Sequence, residues 1–132
     1  MLEFNNVVIN SDLKRLISKQ LELASKNKEK QYKIPSDICY LLNNQHEALQ
    51  RCEMNGIHLG EHISERIEEQ NRIIDSILDA DLDDERLDKE LSFLEKIVNE
   101  NNNAIPIMEN MHIFNKQICL SNIRELLKKS NM

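Results

Sequence analysis

Apolar residues recur every three or four positions from Ile38 to Val98, and this spacing constrains the fold more than any other feature of the sequence. Alternating steps of four and three residues from Ile38 visit eighteen positions, and thirteen of them are apolar. Such spacing, when it continues over many heptads, is typical of coiled-coil helices. We refer to these positions as the heptad seam. Further apolar residues beside it widen the apolar face, which indicates a helix with more than one neighbour.

The fold class predicted from the heptad seam is all-α, as a three- to four-helix bundle. Only two glycines and two prolines occur in 132 residues, which is too few for the frequent turns of a sheet protein. We expect residues 35–103 to form one long coiled-coil helix or a helical hairpin. An N-terminal lead-in and first helix (1–34) and a C-terminal helix (104–132) would flank this region.

Capping and helix-breaking residues predict the boundaries of the first two helices. Ser11 is expected to cap the first helix, which would end near residues 26–30, where lysines suit a helix C-terminus. Ile34-Pro35 then breaks the chain, because the residue before a proline avoids helical geometry. Ser36 is expected to cap the helix that follows.

Three later segments are candidates for further breaks. Gly56 and Gly60 each disfavour a helix interior, and the acidic run 79–85 suits the end of one helix and the cap of the next. The segment 101–106 contains three asparagines and a proline and is predicted to be a linker. The last helix would then cover residues 108–129. Its expected buried side consists of Met111, Phe114, Ile118, Ile123, Leu126 and Leu127.

Two motifs resemble metal sites, and for each we favour a simpler interpretation. His58, Glu61 and His62 spell H-x-x-E-H, a pattern of zinc hydrolases, but Gly60 lies inside it and a third ligand is needed. We expect these histidines to be surface residues. Calcium-loop spacing is matched by four carboxylates, Asp79, Asp81, Asp83 and Glu90. Asp84 occupies the position that needs glycine, so a capping or solvated acidic segment is favoured. No metal or other cofactor is expected.

Composition argues against several functional classes. The formal charge of −6 disfavours general nucleic-acid binding, which needs clustered basic residues. No apolar run approaches the roughly 18 residues of a membrane span, and the N-terminus lacks a secretory signal pattern. Three widely spaced cysteines fit a reducing compartment, so we expect a cytoplasmic protein. No nucleophile or phosphate-binding motif is recognisable, and we do not expect an enzyme.

Two polar residues interrupt the heptad seam at successive positions. Arg66 and Gln70 lie between Ile63 and Ile67 on one side and Ile73 and neighbouring isoleucines on the other. A buried polar layer in an apolar seam costs stability and fixes register and partner number. The alternative is that both side chains face solvent in a loosely packed bundle, and the sequence leaves the two interpretations open.

The stretch from Gly60 to Ile77 resembles the centre of Q-SNARE motifs of the synaptosome-associated light-chain type. The run E-Q-N-R-x-I-D-x-I around Gln70 is similar to that family's central glutamine layer. Apolar layers on either side are matched by Ile63, Ile67, Ile74 and Ile77, with Leu49 on an outer layer. The resemblance implies one strand of a four-helix fusion bundle. Gln70 would there meet an arginine and two glutamines of partner helices, and the chain alone would be largely disordered.

The predicted function is a non-catalytic helical protein–protein interaction module. A SNARE-like trafficking or fusion coiled coil and an adaptor are the two forms of this module that the sequence leaves open. Its partners would be protein helices, either of the same chain type or of another protein. The expected contact residues are Leu49, Leu59, Ile63, Ile67, Gln70, Ile74, Ile77, Leu87, Leu91 and Leu94. Alternatives are a secretion or flagellar export chaperone that holds a helix in a groove, and a structural subunit of a viral or cellular assembly. A metal-dependent hydrolase is the least favoured.

Overall fold

A computed structural model describes the backbone of residues 2–130 and the side chains of residues 13–129. Within that range the chain forms four helices: α1 (Leu2–Glu29), α2 (Ser36–Met54), α3 (Glu61–Asp79) and α4 (Asp84–Ser130). The predicted all-α bundle is therefore confirmed, with four helices. The first helix begins ahead of the expected cap at Ser11, and its end at Glu29 lies within the predicted range.

The helices form a four-cornered bundle in which α1 and α4 each pack against both α2 and α3. Helices α1 and α3 run in one direction, and α2 and α4 run in the other. The early residues of α1 and α3 lie at the same end of the core as the late residues of α2 and α4. The connection from α2 to α3 crosses the end of the bundle diagonally. Ile57 and Leu59 of this connection are buried and close that end of the core.

The chain between residues 36 and 103 is neither one helix nor a two-helix hairpin, and both of those expectations were wrong. It is interrupted at Gly56 and again before Asp84. At the first break the amide of Ile57 donates to the Cys52 carbonyl at 2.8 Å, and the amide of Gly56 donates to the Glu53 carbonyl at 3.3 Å. This paired arrangement is a Schellman motif, in which glycine accommodates the left-handed φ of +65°.

The second break confirms that the acidic run separates two helices. Helix α3 ends at Asp79, and the Asp83 carboxylate accepts a hydrogen bond of 2.8 Å from the amide of Arg86. An aspartate that bonds the amide three residues ahead is an N-cap, so Asp83 initiates α4. At the start of α2 the N-cap is Pro35, and Ser36 is already helical. The expected cap at Ser36 is therefore wrong.

Helix α4 continues through residues 101–106, so the predicted linker was wrong. Asn101 and Ile105 are almost completely buried against the other helices. Their packing stabilises helical geometry in a segment whose local sequence favours a turn, and tertiary contacts of this kind commonly override propensity. Pro106 is exposed and lacks an amide hydrogen, which costs the helix one backbone hydrogen bond. At 47 residues and about 1.5 Å per residue, α4 is about 70 Å long.

Candidate functional site

A layer of buried and half-buried amide side chains crosses the middle of the bundle. Gln45 of α2 and Gln70 of α3 exchange two hydrogen bonds, of 2.9 and 2.8 Å. Gln20 of α1 donates to the Gln45 oxygen at 2.7 Å. From α4, Asn101 donates to the Gln70 oxygen at 3.0 Å, and Asn102 accepts from Gln45 at 3.0 Å. We call these five residues the amide layer, and every helix contributes to it.

The amide layer divides the apolar core into two clusters. One cluster lies at the end closed by the α2–α3 connection, and its buried members are Leu13, Leu16, Ile17, Ala48, Leu49, Cys52, Ile57, Leu59, Ile63, Ile67 and Ile105. The other lies at the opposite end, and its buried members are Leu23, Ile34, Ile38, Ile74, Ile77, Leu78, Leu94 and Val98. Because each amide must meet its partners at one height, the layer fixes the vertical register of all four helices.

The two residues of the predicted polar layer have different environments. Gln70 is 0% exposed and lies in the amide layer, which confirms that it is a buried polar residue. Arg66 lies at the surface and forms an ion pair of 3.3 Å with Glu100. Sequence reasoning missed the contributions of α1 and α4. The position of Gln45 on the heptad seam was a signal that could have identified it as the partner of Gln70.

The predicted contact residues lie mainly inside the chain's own bundle. Leu87 and Leu91 are half-buried, and the others are buried: Leu49, Leu59, Ile63, Ile67, Gln70, Ile74, Ile77 and Leu94. The heptad seam therefore receives its cover from helices of the same chain. Contact between these residues and another protein stays a prediction, and such contact requires the bundle to open.

The C-terminal part of α4 continues past the apolar core and exposes an apolar surface. We call residues 107–129 the α4 extension. Nine large apolar side chains in it are between 42 and 63% exposed: Ile107, Met111, Ile113, Phe114, Ile118, Leu120, Ile123, Leu126 and Leu127. The expected buried side of the last helix is therefore exposed. The reason is that the apolar core formed with α2 and α3 extends along α4 only to Met108, the last apolar side chain of α4 that packs on it.

The α4 extension also differs from the bundle in charge. Four basic residues (Lys116, Arg124, Lys128 and Lys129) and two acidic residues give it a formal charge of +2. Because the whole chain carries −6, the remaining residues carry −8. A basic, apolar helix thus stands on an acidic bundle, which is a typical composition for a segment that binds another surface.

A groove of about 340 Å³ lies between α1 and α2. Apolar side chains such as Leu23, Ile34 and Ile74 line most of it. Asn71 also lines it and is only 3% exposed, and its side-chain oxygen has no hydrogen-bond partner among the described residues. Cys39 borders the groove, and burial raises the pKa of its thiol.

The residues of the two metal-like motifs serve other purposes or face solvent. His58, Glu61 and His62 are exposed. Within the described part of the chain, no three His, Cys, Asp or Glu side chains are grouped closely enough to hold a metal ion. Two members of the calcium-like pattern have structural partners, since Asp83 caps α4 and Asp79 pairs with Lys26 at 2.7 Å.

Lys26 connects α1 to α3 through two carboxylates. Its ammonium lies 2.7 Å from Asp75 and 2.7 Å from Asp79. The hydrogen bonds to Asp75 and Asp79 raise the pKa of Lys26, and the hydrogen bond from Lys26 lowers the pKa of Asp75. These pairs, in which Lys26 and Asp75 are half-buried and Asp79 is exposed, link two parallel helices at the end of the bundle away from the α4 extension.

Comparisons with known proteins identify no relative. Among residues 2–130, no helix combines the length and the apolar character that a membrane crossing requires. No protein family matches the sequence, and neither a curated protein nor a solved structure is similar to it.

Proposed function

We propose that this chain is a non-catalytic helical interaction module that binds partner helices through the α4 extension. The single observation that carries the proposal is the set of nine exposed large apolar side chains on the α4 extension. Exposed apolar patches of this size, bordered by polar residues, usually mark interaction surfaces.

The energetics of an isolated helix support this proposal. A single helix of about two dozen residues is marginally stable in water, because most helical stability in proteins comes from tertiary packing. Burial of apolar surface contributes about 25 cal/mol per Å², so a partner helix would stabilise the α4 extension as well as bind to it.

The apolar residues of the α4 extension lie on two sides of the helix. Ile107, Met111, Phe114 and Ile118 follow one another at steps of four, three and four residues and share one face. Ile113, Leu120 and Leu127 recur every seven residues on nearly the opposite face. A helix that is apolar on two faces suits a position between two neighbours.

Site-specific photo-crosslinking tests the proposal. A photoreactive amino acid at Phe114 of the full chain should form adducts with a partner helix, mapped by mass spectrometry. The same group at Gln117, on the polar face of the same helix turn, is the matched control and should form far fewer. Ile118→Glu should abolish the adducts from position 114. Equal labelling from both positions, or adducts that persist in Ile118→Glu, would reject the α4 extension as the binding element.

A SNARE-like fusion coiled coil is a second candidate, supported by the environment of Gln70. Gln70 lies in a polar layer to which each of four helices contributes an amide, with Ile67 and Ile74 in the apolar layers on either side. For Gln70 to join partner helices, α3 would have to leave the bundle. Complementary SNARE helices added to isotope-labelled chain should then shift the side-chain amide resonances of Gln45 and Gln70. Unchanged resonances would exclude this candidate.

An export chaperone is supported by the groove between α1 and α2, which could hold an apolar helix face. Titration with an amphipathic export segment should shift resonances of groove residues such as Leu23 and Ile74. Shifts confined to the α4 extension would instead favour the first proposal. A structural subunit of an assembly would also use the α4 extension, and it differs from the first proposal only in the identity of the partner.

A further inference from the structure

An apolar stripe runs along α4 from the bundle into the α4 extension. Its positions alternate in steps of four and three residues, as in a coiled-coil a/d pattern: Phe93, Ile97, Glu100, Ala104, Ile107, Met111, Phe114 and Ile118. We call this set the outer stripe. Most of its members are exposed, with Phe93 at 53% and Phe114 at 61%, whereas Ile97 and Ala104 are half-buried. The buried positions of α4, such as Leu94 and Val98, lie on a different face.

We propose that the outer stripe binds the outer stripe of a second copy of this chain, with the two α4 helices antiparallel and a two-fold axis between Ile105 and Pro106. This inference rests on the proposed function, because it names the partner of the α4 extension. Antiparallel coiled coils pair a positions with d positions, and an isologous interface must be complementary to itself. In this register Phe93 faces Ile118 of the second copy, and Ile97 faces Phe114 of the second copy.

The centre of the interface is also apolar. Ala104, which is half-buried and packs at the edge of its own chain's core, faces Ile107 of the second copy on both sides of the axis, and a small residue opposite a large one allows close approach. Glu100 faces Met111 of the second copy, and it is the one charged member of the outer stripe. Its carboxylate already lies 3.3 Å from the Arg66 guanidinium, so its charge is compensated within its own chain. Each apolar member of the outer stripe therefore meets an apolar partner, apart from Met111.

Charges beyond the apolar layers select this register. The a/d pattern continues past Ile118 to Ser121, which would face Glu90 of the second copy in an exposed layer. The next two positions, Glu125 and Lys128, would face Arg86 and Asp83 of the second copy. These four side chains are exposed, and both pairs have opposite charges. The basic α4 extension thus lies along the acidic first half of α4 in the second copy, in agreement with the charge difference between them.

Neighbouring registers are less complementary. Sliding one helix by a heptad in one direction sets Glu100 against Ile118 and Glu125 against Phe93. Sliding it in the other direction sets Glu90 against Phe114 and Arg86 against Ile118. Each shift leaves additional charged groups in apolar layers, which costs desolvation energy without a compensating partner.

Pulsed electron paramagnetic resonance on the full chain measures the register. Cys119 is exposed and Cys52 is buried, so a spin label attaches to Cys119 once Cys39 is replaced by alanine. Twenty-seven residues separate the two labels along the axis, which corresponds to about 40 Å at about 1.5 Å per residue. A one-heptad slide changes this distance by about 10 Å, and a parallel pair brings the labels to roughly 10 Å. A distance that fits one of those alternatives would overturn the proposed arrangement.

Charge reversal provides an independent test by sedimentation equilibrium. Arg86→Glu should weaken the dimer roughly 10-fold, because two symmetry-related ion pairs become repulsive. Adding Glu125→Arg should restore affinity. Arg124→Glu makes the same charge change on another face of the α4 extension and is the matched control. Equal weakening by Arg86→Glu and Arg124→Glu, or no rescue, would contradict the pairing.

The failure of this inference can be distinguished from failure of the proposed function. A chain that sediments at 15.5 kDa at every soluble concentration is not a dimer, and the inference is then wrong. If position 114 still crosslinks to a different helix, the proposed function stands without it. If position 114 crosslinks to nothing, both fail.

Discussion

Replacement of Gln70 by leucine distinguishes the structure from the heptad pattern alone. A heptad with one polar layer predicts that Gln70→Leu tightens the assembly, because an apolar residue then fills an apolar seam. In the structure, Gln70 makes two hydrogen bonds with Gln45 and one with Asn101. Leucine cannot replace them, and the amides that remain are buried where water cannot reach them.

The magnitude follows from the buried groups that lose a partner. Leaving a buried donor or acceptor unsatisfied costs about 1–3 kcal/mol, and the added leucine recovers part of this through apolar burial. We therefore expect Gln70→Leu to lower the free energy of unfolding by about 2–3 kcal/mol. The double variant Gln45→Leu/Gln70→Leu removes both of the amides that bond each other. Its free energy of unfolding should therefore fall by less than the sum of the two single losses.

Urea unfolding followed by circular dichroism gives all terms of this double-mutant cycle. The expected coupling energy between Gln45 and Gln70 is about 1–2 kcal/mol. Leu49→Ala, in the apolar cluster on one side of the amide layer, is a useful comparison, since its cost comes from a cavity and should not couple to Gln70. A Gln70→Leu chain as stable as the unsubstituted chain, or a coupling energy near zero, would refute the hydrogen-bonded amide layer.

Three further predictions concern the α1–α2 connection and the adjacent ion pairs. Gln31→Gly should raise the free energy of unfolding by about 1 kcal/mol, measured in urea, because Gln31 has a left-handed φ of 59° that glycine adopts freely. Asn27→Leu should lower the free energy of unfolding by about 2–3 kcal/mol, because the Asn27 side chain donates to the carbonyl of buried Ile34 and accepts from its amide. The exposed substitution Asn44→Leu is the control, and a smaller loss in Asn27→Leu than in Asn44→Leu would contradict this prediction. Because the pKa of Asp75 is lowered, its contribution to the free energy of unfolding is present above its ordinary pKa of 3.8 and is lost as pH falls through the lower folded value. Because the pKa of Lys26 is raised, its contribution to the free energy of unfolding is present below 10.5 and is lost as pH rises through the higher folded value. Lys26→Gln should flatten both limbs of the urea midpoint plotted against pH, and an unchanged profile would show that these pairs do not contribute.

The sequence predicted the helical class, and it marked both breaks in the heptad seam as candidates, for reasons that are local. Gly56 and the aspartates before residue 84 act within one turn of the chain, so the local sequence is enough to predict their effects. Gln70 was recognisable as a polar residue in an apolar seam. The pattern showed that this seam needs cover, but a heptad does not specify whether the cover comes from the same chain.

Other errors arose because distant residues decide the outcome. Residues 101–103 have turn-forming side chains, and they are helical because Asn101 and Asn102 bond residues of α2 and α3 that lie more than thirty positions away in sequence. Met111 and Phe114 have the periodicity of a buried face, yet both are exposed. Periodicity identifies the face that would be buried by a neighbour, and it does not show that the chain supplies one.

Residue-resolved hydrogen exchange on the dilute chain and on its assembled form tests the central claim most directly. In the dilute chain, amides at Ile67, Ile77 and Leu94 should exchange only through global unfolding, while those from Met111 to Leu127 should exchange nearly as fast as in a free helix. Association should then protect the second group and leave the first unchanged. Rapid exchange at Ile67 and Ile77, or a second group that stays unprotected in the assembled form, would contradict the account.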